Sequence, residues 1–158
     1  MFRKLLTTRS MCLSALIAAL YAALTLLLAP ISYGNVQCRI SEAMTVLPIL
    51  LPQAIPGLFV GCLIANLYTG MLTDVIFGSL ATLLAAVGSY LLRKRPLLAA
   101  ACPVVANGVI VGLVLSVSCS LPWQLTMLEV AAGEIAAVAL GMLVLLPALG
   151  RVDLSRYT

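Results

Sequence analysis

The chain has 158 residues, of which 63% are hydrophobic and 9% are charged, and its formal net charge is +4. Soluble domains carry about 25% charged residues, so this composition excludes a soluble globular protein and indicates a single-domain, polytopic membrane protein. The absence of histidine excludes a histidine-ligated metal site and a histidine-based triad. The basic residues lie at the ends of apolar segments, where membrane topology places them, so the positive charge does not indicate a nucleic-acid partner.

Six apolar segments predict an all-α integral membrane protein, a six-helix transmembrane bundle formed by residues 1–158. The first segment has 19 residues, which is longer than the apolar part of a usual signal peptide. Residues 41–70 are divided by prolines, because a single helix there would span about 45 Å against a hydrocarbon core of about 30 Å. The predicted segments are 11–29, 41–51, 56–68, 71–92, 97–119 and 122–149.

The basic residues predict how this bundle is oriented. They precede the first segment, follow the fourth at 93–95 and follow the sixth at Arg151 and Arg156. Positively charged flanks favour the cytoplasmic side, and only an even number of crossings puts all three sites there. We therefore expect both termini to be cytoplasmic and residues 33–40 to be external.

Known catalytic and metal-binding motifs are missing from the sequence. It has no nucleotide-binding loop, no zinc-protease motif and no esterase motif. The five cysteines form no C-x-x-C pair, and most lie in apolar runs, which is typical of small buried side chains. We therefore expect no enzyme activity, no cofactor and no metal. The cysteines are Cys12, Cys38, Cys62, Cys102 and Cys119.

The longest polar interruption of the apolar pattern is residues 33–43. Arg39 and Glu42 lie three residues apart, so they share one side of a helix that begins here, and Ser41 is a candidate cap for that helix. An ion pair beside a membrane-embedded body is costly unless it is satisfied or used. A solvated loop with an incidental Arg–Glu pair is the alternative interpretation.

The predicted topology sorts the remaining polar residues by depth. Asn107 and Glu134 fall near mid-membrane, with Glu129 between them and the outer residues. A charged side chain that faces lipid at mid-depth costs about 2.5–3.5 kcal/mol or more, so Glu134 is expected to face a polar cavity open to the outside or to be protonated. An interhelical hydrogen bond for Glu134, a helix cap for Asp74 and an aromatic-belt anchor for Trp123 are alternatives. The residues at outer ends are Arg39, Glu42, Asn66, Tyr68, Asp74, Trp123 and Gln124.

The first segment carries two rows of small residues at four-residue spacing. Such rows let a second helix approach closely in lipid, although alanine is also abundant in membrane helices generally. The rows consist of Ser14, Ala18 and Ala22, and of Ala15, Ala19 and Ala23.

Five blocks of sequence, spread over nearly the whole chain, carry a family resemblance. The two specific blocks are YGNVQCRISEAMTVLP at 33–48 and IPGLFVGCLIANL at 55–67. The weaker blocks are DVIFGSLATL at 74–83, PVVANG at 103–108 and Gly133-Glu134. With these blocks the chain resembles the queuosine precursor transporter family.

The resemblance implies a substrate-binding S component of an energy-coupling-factor (ECF) transporter. Such a component has six helices, captures a vitamin-like solute from outside, and docks on a transmembrane scaffold protein that bears two cytoplasmic ATPases. The expected partners are therefore a queuosine precursor, the scaffold protein, the two ATPases and the lipid bilayer. The small-residue rows of the first segment would then face the coupling helices of the scaffold.

A 7-deazaguanine ligand also suggests roles for the polar residues. The ring donates from N1 and its 2-amino group, which suit a carboxylate, and accepts at O6, which suits Asn, Gln or Arg. We expect Glu134 at the purine edge with Asn107 or Asn66 beside it, and Arg39 and Glu42 at the lid and outer rim. The candidate binding residues are Tyr33, Gln37, Arg39, Glu42, Asn66, Tyr68, Asp74, Asn107, Trp123 and Glu134, with the three aromatic ones as stacking partners.

Three other functions fit parts of the sequence. An S component for another vitamin-like solute would have the same architecture. A small membrane enzyme would use Glu129, Glu134 and Asp74 as acid–base groups. A structural subunit would bind no solute and would use its polar residues for interhelical hydrogen bonds.

Overall fold

The structure, a computed structural model, describes residues 7–32 and 39–151, and the regular structure in these ranges is entirely helical. The predicted all-α class is therefore confirmed. The six helices are α1 (Thr8–Leu27), a 3₁₀ helix (Ile40–Ile49), α2 (Ala54–Leu67), α3 (Asp74–Leu91), α4 (Pro96–Cys119) and α5 (Trp123–Gly150). A short helical turn, Ala29–Ser32, follows α1.

Four of the described helices are long and apolar enough to cross a membrane. These are α1, α3, α4 and α5, with mean hydropathies between 1.6 and 2.3. Large apolar side chains cover their outward faces, including Leu16, Leu84, Val105 and Leu128. A soluble monomer rarely exposes so much contiguous apolar surface, so this exterior is suited to lipid. The 3₁₀ helix and α2 are shorter.

The inward face of α1 follows the helical period. Ile17, Tyr21 and Thr25 recur every four residues and are buried, which places them on one side of the helix. This side packs on α2, where a Cβ added at Gly61 would lie 2.8 Å from the backbone oxygen of Ala18. Glycine is therefore needed for the close approach of the two helices, as in small-xxx-small packing.

The 3₁₀ helix lies at the centre of the bundle. It packs against all five other helices, and residues 41–48 are all buried. The sequence predicted a helical segment at 41–51. The structure has a 3₁₀ helix here, at Ile40–Ile49, and not an α-helix. A 3₁₀ helix rises about 2.0 Å per residue, so ten residues cover about 20 Å, where an α-helix would cover about 15 Å. Pro48 lies inside the segment, and proline disrupts the hydrogen bonding of an α-helix.

One glycine of α5 permits this central packing. The helix contains a wider π-type turn at Gly141–Leu145, and Gly141 lies directly against the backbone carbonyl of Ala43. A Cβ at position 141 would overlap that carbonyl group. The 3₁₀ helix and α5 therefore approach each other at backbone distance only because residue 141 has no side chain.

The described parts of the three basic regions, Arg9, residues 93–95 and Arg151, lie at one end of the bundle. The Ser14 hydroxyl, near the start of α1, donates to the carbonyl of Gln53 at 2.8 Å, just before α2 begins. Since α2 runs parallel to α1 and α3 returns antiparallel to α2, the turn at 93–95 lies at this end as well. Leu149, near the end of α5, packs on the same buried hydrophobic cluster as Leu13, near the start of α1. That this end is cytoplasmic stays a prediction.

Candidate functional site

The interior of the bundle contains a group of buried polar side chains near the middle of the long helices. We call this group the polar centre. It is surrounded by apolar helix faces, so each polar atom in it must be satisfied by protein or by a ligand. Its members are Tyr21 of α1, Arg39 and Glu42 at the start of the 3₁₀ helix, Thr82 of α3, Asn107 of α4 and Glu134 of α5.

Glu42 is held by two hydroxyl groups. Its side chain is 1% exposed, and its Oε1 atom accepts a hydrogen bond from the Tyr21 hydroxyl. The Thr82 hydroxyl lies 3.4 Å from the same oxygen as a second donor. Both donors come from apolar faces of other helices. The first oxygen of this carboxyl group is therefore occupied by the protein.

Glu134 is held by an amide. The Nδ2 atom of Asn107 donates to Glu134 Oε1 at 2.9 Å, which links α4 to α5. The two side chains are 2% and 6% exposed, respectively. Glu134 thus faces the interior of the bundle and not lipid, as its charge requires. The sequence predicted Glu134 with Asn107 or Asn66 beside it, and the structure brings Asn107 to hydrogen-bond distance.

The charged members of the polar centre are close enough to interact electrostatically. Arg39 interacts with the carboxyl groups of Glu42, Glu134 and Asp74. The carboxyl groups of Glu42 and Glu134 also interact with each other. Asn107 lies near Glu42 as well as bonding to Glu134. The two glutamates, the asparagine and the arginine therefore form one site contributed by three helices.

Several acceptor atoms of this region have no hydrogen-bond partner among the described residues. Each belongs to a side chain at least 94% buried, where an unsatisfied acceptor costs about 1–3 kcal/mol. Such orphaned acceptors in a polar interior indicate that donors are supplied from elsewhere. The atoms are Glu42 Oε2, Glu134 Oε2, Asn107 Oδ1 and Asn66 Oδ1.

Asn66 and Asp74 lie beside the polar centre rather than in it. The Nδ2 atom of Asn66 donates to the backbone carbonyl of Asp74 at 3.0 Å and lies 3.5 Å from the Ser79 hydroxyl. These contacts join the end of α2 to the wide π-type turn that opens α3 at Asp74–Gly78. Asn66 therefore has a structural use for its amide nitrogen, while its carbonyl oxygen stays available.

The structure does not bring the other candidate residues into this group. Tyr68 is 70% exposed and Trp123 is 54% exposed, both at helix ends away from the mid-depth polar centre. Tyr33 and Gln37 lie outside the described residues. Glu42, which the sequence assigned to the outer rim, is instead buried deep between α1 and α3, because the 3₁₀ helix enters the bundle immediately after Arg39.

The two small-residue rows of α1 face in different directions. Ala18 and Ala22 are buried, and the backbone of Ser14 and Ala18 contacts Gly57 and Gly61 of α2. This row is therefore used inside the chain. The second row is exposed along its length within the described part of the chain; it consists of Ala15, Ala19 and Ala23.

Sequence reasoning missed three contributors to this region. Tyr21 and Thr82 supply the donors to Glu42, and the Cys62 thiol lies 3.3 Å from the Thr82 hydroxyl. Tyr21 could have been found from the sequence, because a tyrosine hydroxyl in the middle of an apolar segment requires a hydrogen-bond partner. Threonine and cysteine are common in membrane helices and give no comparable signal.

The polar centre offers hydrogen-bonding and charged groups. Among the described ranges, 7–32 and 39–151, no group of three or more His, Cys, Asp or Glu side chains is placed to hold a metal ion. What the polar centre offers is a set of buried acceptors beside one guanidinium group. This set suits a polar solute rich in hydrogen-bond donors.

The fold and this site together define a helical membrane protein with a buried polar centre. A family model described as QueT transporter matches residues 11–149, and the chain belongs to this family. The resemblance found in the sequence is thereby confirmed. The chain is 39% identical over 71 residues to "Queuosine precursor transporter QueT" of Lactococcus lactis subsp. cremoris (strain MG1363), a match that covers 44% of the chain and 42% of that relative. No solved structure matches the chain.

Proposed function

We propose that this protein is the substrate-binding S component of an ECF transporter, and that it captures a queuosine precursor, queuine or a related 7-deazaguanine, from outside the cell. The supporting observation is the pair Glu134–Asn107, in which Glu134 Oε2 and Asn107 Oδ1 are buried acceptors without a partner among the described residues. The N1–H and 2-amino groups of a deazaguanine are donors of the kind these atoms lack.

The relative from Lactococcus lactis supports the same ligand class, since its printed name assigns it a queuosine precursor. The ring of guanine has an acceptor at N7, whereas a 7-deazaguanine has carbon there. A site whose buried carboxyl and amide oxygens are accompanied by one guanidinium group, that of Arg39, therefore favours the deazapurine, because N7 of guanine would add a further acceptor to a region already rich in acceptors.

Uptake then depends on partner proteins. The exposed alanines Ala15, Ala19 and Ala23 give α1 a flat surface on which a helix of a scaffold protein can pack closely. The subunit itself has no catalytic role in this proposal. Hydrolysis of ATP takes place on two ATPases bound to the scaffold, on the cytoplasmic side of a prokaryotic plasma membrane.

A binding titration of the purified protein tests the ligand class. We expect queuine or its 7-deazaguanine precursors to bind at least about 10-fold more tightly than guanine, a difference of about 1.4 kcal/mol. Tighter binding of an unrelated vitamin-like solute would make the protein an S component for that solute. The proposed ligand is wrong if none of the deazaguanines binds.

A further inference from the structure

Glu42 provides a second carboxyl group for the same ligand. Its Oε1 atom is occupied by the hydroxyls of Tyr21 and Thr82, and its Oε2 atom has no partner among the described residues. At 1% exposure this oxygen has no contact with bulk water. Hydroxyl donors stabilise a carboxylate without cancelling its charge, so the hydroxyls of Tyr21 and Thr82 leave the charge of Glu42 unchanged.

The charges buried in the described part of the chain are unequal. Three carboxyl groups, those of Glu42, Asp74 and Glu134, are buried there with one basic side chain, Arg39, which interacts electrostatically with each of them. Unbalanced charge in a membrane interior is costly and is normally paired. A ligand that carries a positive charge would reduce this imbalance on entering the site.

Glu42 and Glu134 belong to a single site and not to two. They interact electrostatically with each other, and Asn107 lies near both. Glu134 and Asn107 are matched to the purine edge in the proposed function, which uses the donors at N1 and the 2-amino group. Glu42 is then available to a different part of the same ligand. The best donor for a charged carboxylate that lacks a partner is a protonated amine.

We infer that Glu42, oriented by Tyr21 and Thr82, binds a protonated amine on the 7-substituent of the deazaguanine, so that the site selects cationic over neutral precursors. This inference rests on the proposed function, because it assumes a deazaguanine at Glu134. It adds a specificity determinant that discriminates among members of that ligand class by their charge.

Two ligands of nearly equal size provide the test. 7-Aminomethyl-7-deazaguanine carries a primary ammonium group, and 7-hydroxymethyl-7-deazaguanine has a neutral hydroxyl at the same position. We expect the wild-type protein to bind the aminomethyl compound about 10- to 100-fold more tightly, as for a buried charge-assisted hydrogen bond. In Glu42→Gln this ratio should fall to about 3-fold or less, while the hydroxymethyl compound still binds.

Two further variants separate charge selection from a general defect. Glu134→Gln should lower the affinity for both ligands by a similar factor and keep the ratio of the two affinities. Glu129 is half-buried and lies outside the polar centre, so Glu129→Gln should leave both affinities unchanged. If Glu42→Gln does not fold, the ratio of the wild-type affinities for the aminomethyl and hydroxymethyl compounds decides whether the site selects cationic precursors.

The outcomes distinguish the two proposals. Equal binding of the two compounds by the wild-type protein overturns the inference and leaves the proposed function intact. An unchanged ratio in a folded Glu42→Gln variant also overturns it. Failure of both compounds to bind, together with all other deazaguanines, overturns the proposed function and the inference with it.

Discussion

The hydroxyl of Tyr21 in α1 donates a hydrogen bond to the Glu42 carboxyl group in the 3₁₀ helix, in an interior where both side chains are almost fully buried. This bond joins α1 to the central 3₁₀ helix of the bundle. It also directs one oxygen of Glu42 toward protein and leaves the other without a partner among the described residues. Tyr21 is therefore a positioning residue for the polar centre.

Tyr21→Phe tests this positioning role. The substitution removes one donor but keeps the ring, so we expect the protein to fold and the affinity for 7-aminomethyl-7-deazaguanine to fall about 5- to 20-fold, the equivalent of about 1–2 kcal/mol. The measurement is a calorimetric titration. Tyr68→Phe is the matched control, because Tyr68 is 70% exposed at the end of α2, and it should bind as the wild type does. Equal affinities for the two variants would contradict the positioning role.

The sequence predicted more of the fold than of the polar centre. Apolar length and proline placement predicted six helical segments, and the described residues contain six helices, because backbone polar groups in a membrane must be satisfied by helical hydrogen bonds. The interior direction of Glu134 followed from the same physics, since a carboxylate cannot face lipid cheaply. Glu42 was misplaced because its depth depends on the path of the 3₁₀ helix, which periodicity does not encode.

The aromatic residues show a second limit of sequence reasoning. Tyr68 and Trp123 were candidates for stacking on the ligand, yet both are more than half exposed, as is typical of aromatic residues near helix ends in membranes. Residue type identifies a possible stacking partner, but only the three-dimensional packing shows which aromatic side chain points inward. Tyr21, which does point inward, acts through its hydroxyl.

The contact between Gly141 and Ala43 predicts a specific packing defect. A methyl group at position 141 would overlap the Ala43 carbonyl and push the 3₁₀ helix away from α5. We expect Gly141→Ala to destabilise the protein by about 1–3 kcal/mol or more, as for overpacked cores. Thermal unfolding in detergent measures the effect. Gly150→Ala is the control, since no other described segment has an atom within 4 Å of a Cβ there. Similar melting temperatures for both variants would show that the close approach is not required.

Orientation in the membrane is testable by labelling. In a cysteine-free background, Asn35→Cys should react with an impermeant thiol reagent added to intact cells, whereas Lys94→Cys should react only after permeabilisation. The reason is that basic residues flank the cytoplasmic ends of membrane segments, and position 94 lies within the basic turn 93–95. The opposite labelling pattern would invert the orientation, and labelling of both from outside would contradict the six-crossing arrangement.

A variant of the exposed alanine row on α1 is expected to lose transport while it keeps ligand binding. Replacing Ala15, Ala19 and Ala23 together with leucine should block close approach of a partner helix, so uptake by cells should be lost while the purified subunit keeps its affinity for ligand. The control places leucine at three exposed alanines of α5, Ala132, Ala136 and Ala139, and should retain uptake. Loss of ligand binding in the α1 variant, or normal uptake by it, would argue against a docking surface there.

Glu134→Gln tests the carboxylate assigned to the purine edge. The amide retains one acceptor but presents an N–H group to a ligand donor, so a charge-assisted pair is lost and a donor is left unmatched. We expect affinity to fall about 30- to 1,000-fold, or about 2–4 kcal/mol. A ligand without the 2-amino group should bind more weakly than its parent to the wild type, and the difference should be much smaller in the variant. Normal binding by Glu134→Gln, or an equal loss for both ligands, would reduce Glu134 to a hydrogen-bond partner of Asn107 and would move purine recognition to the free oxygen of Glu42.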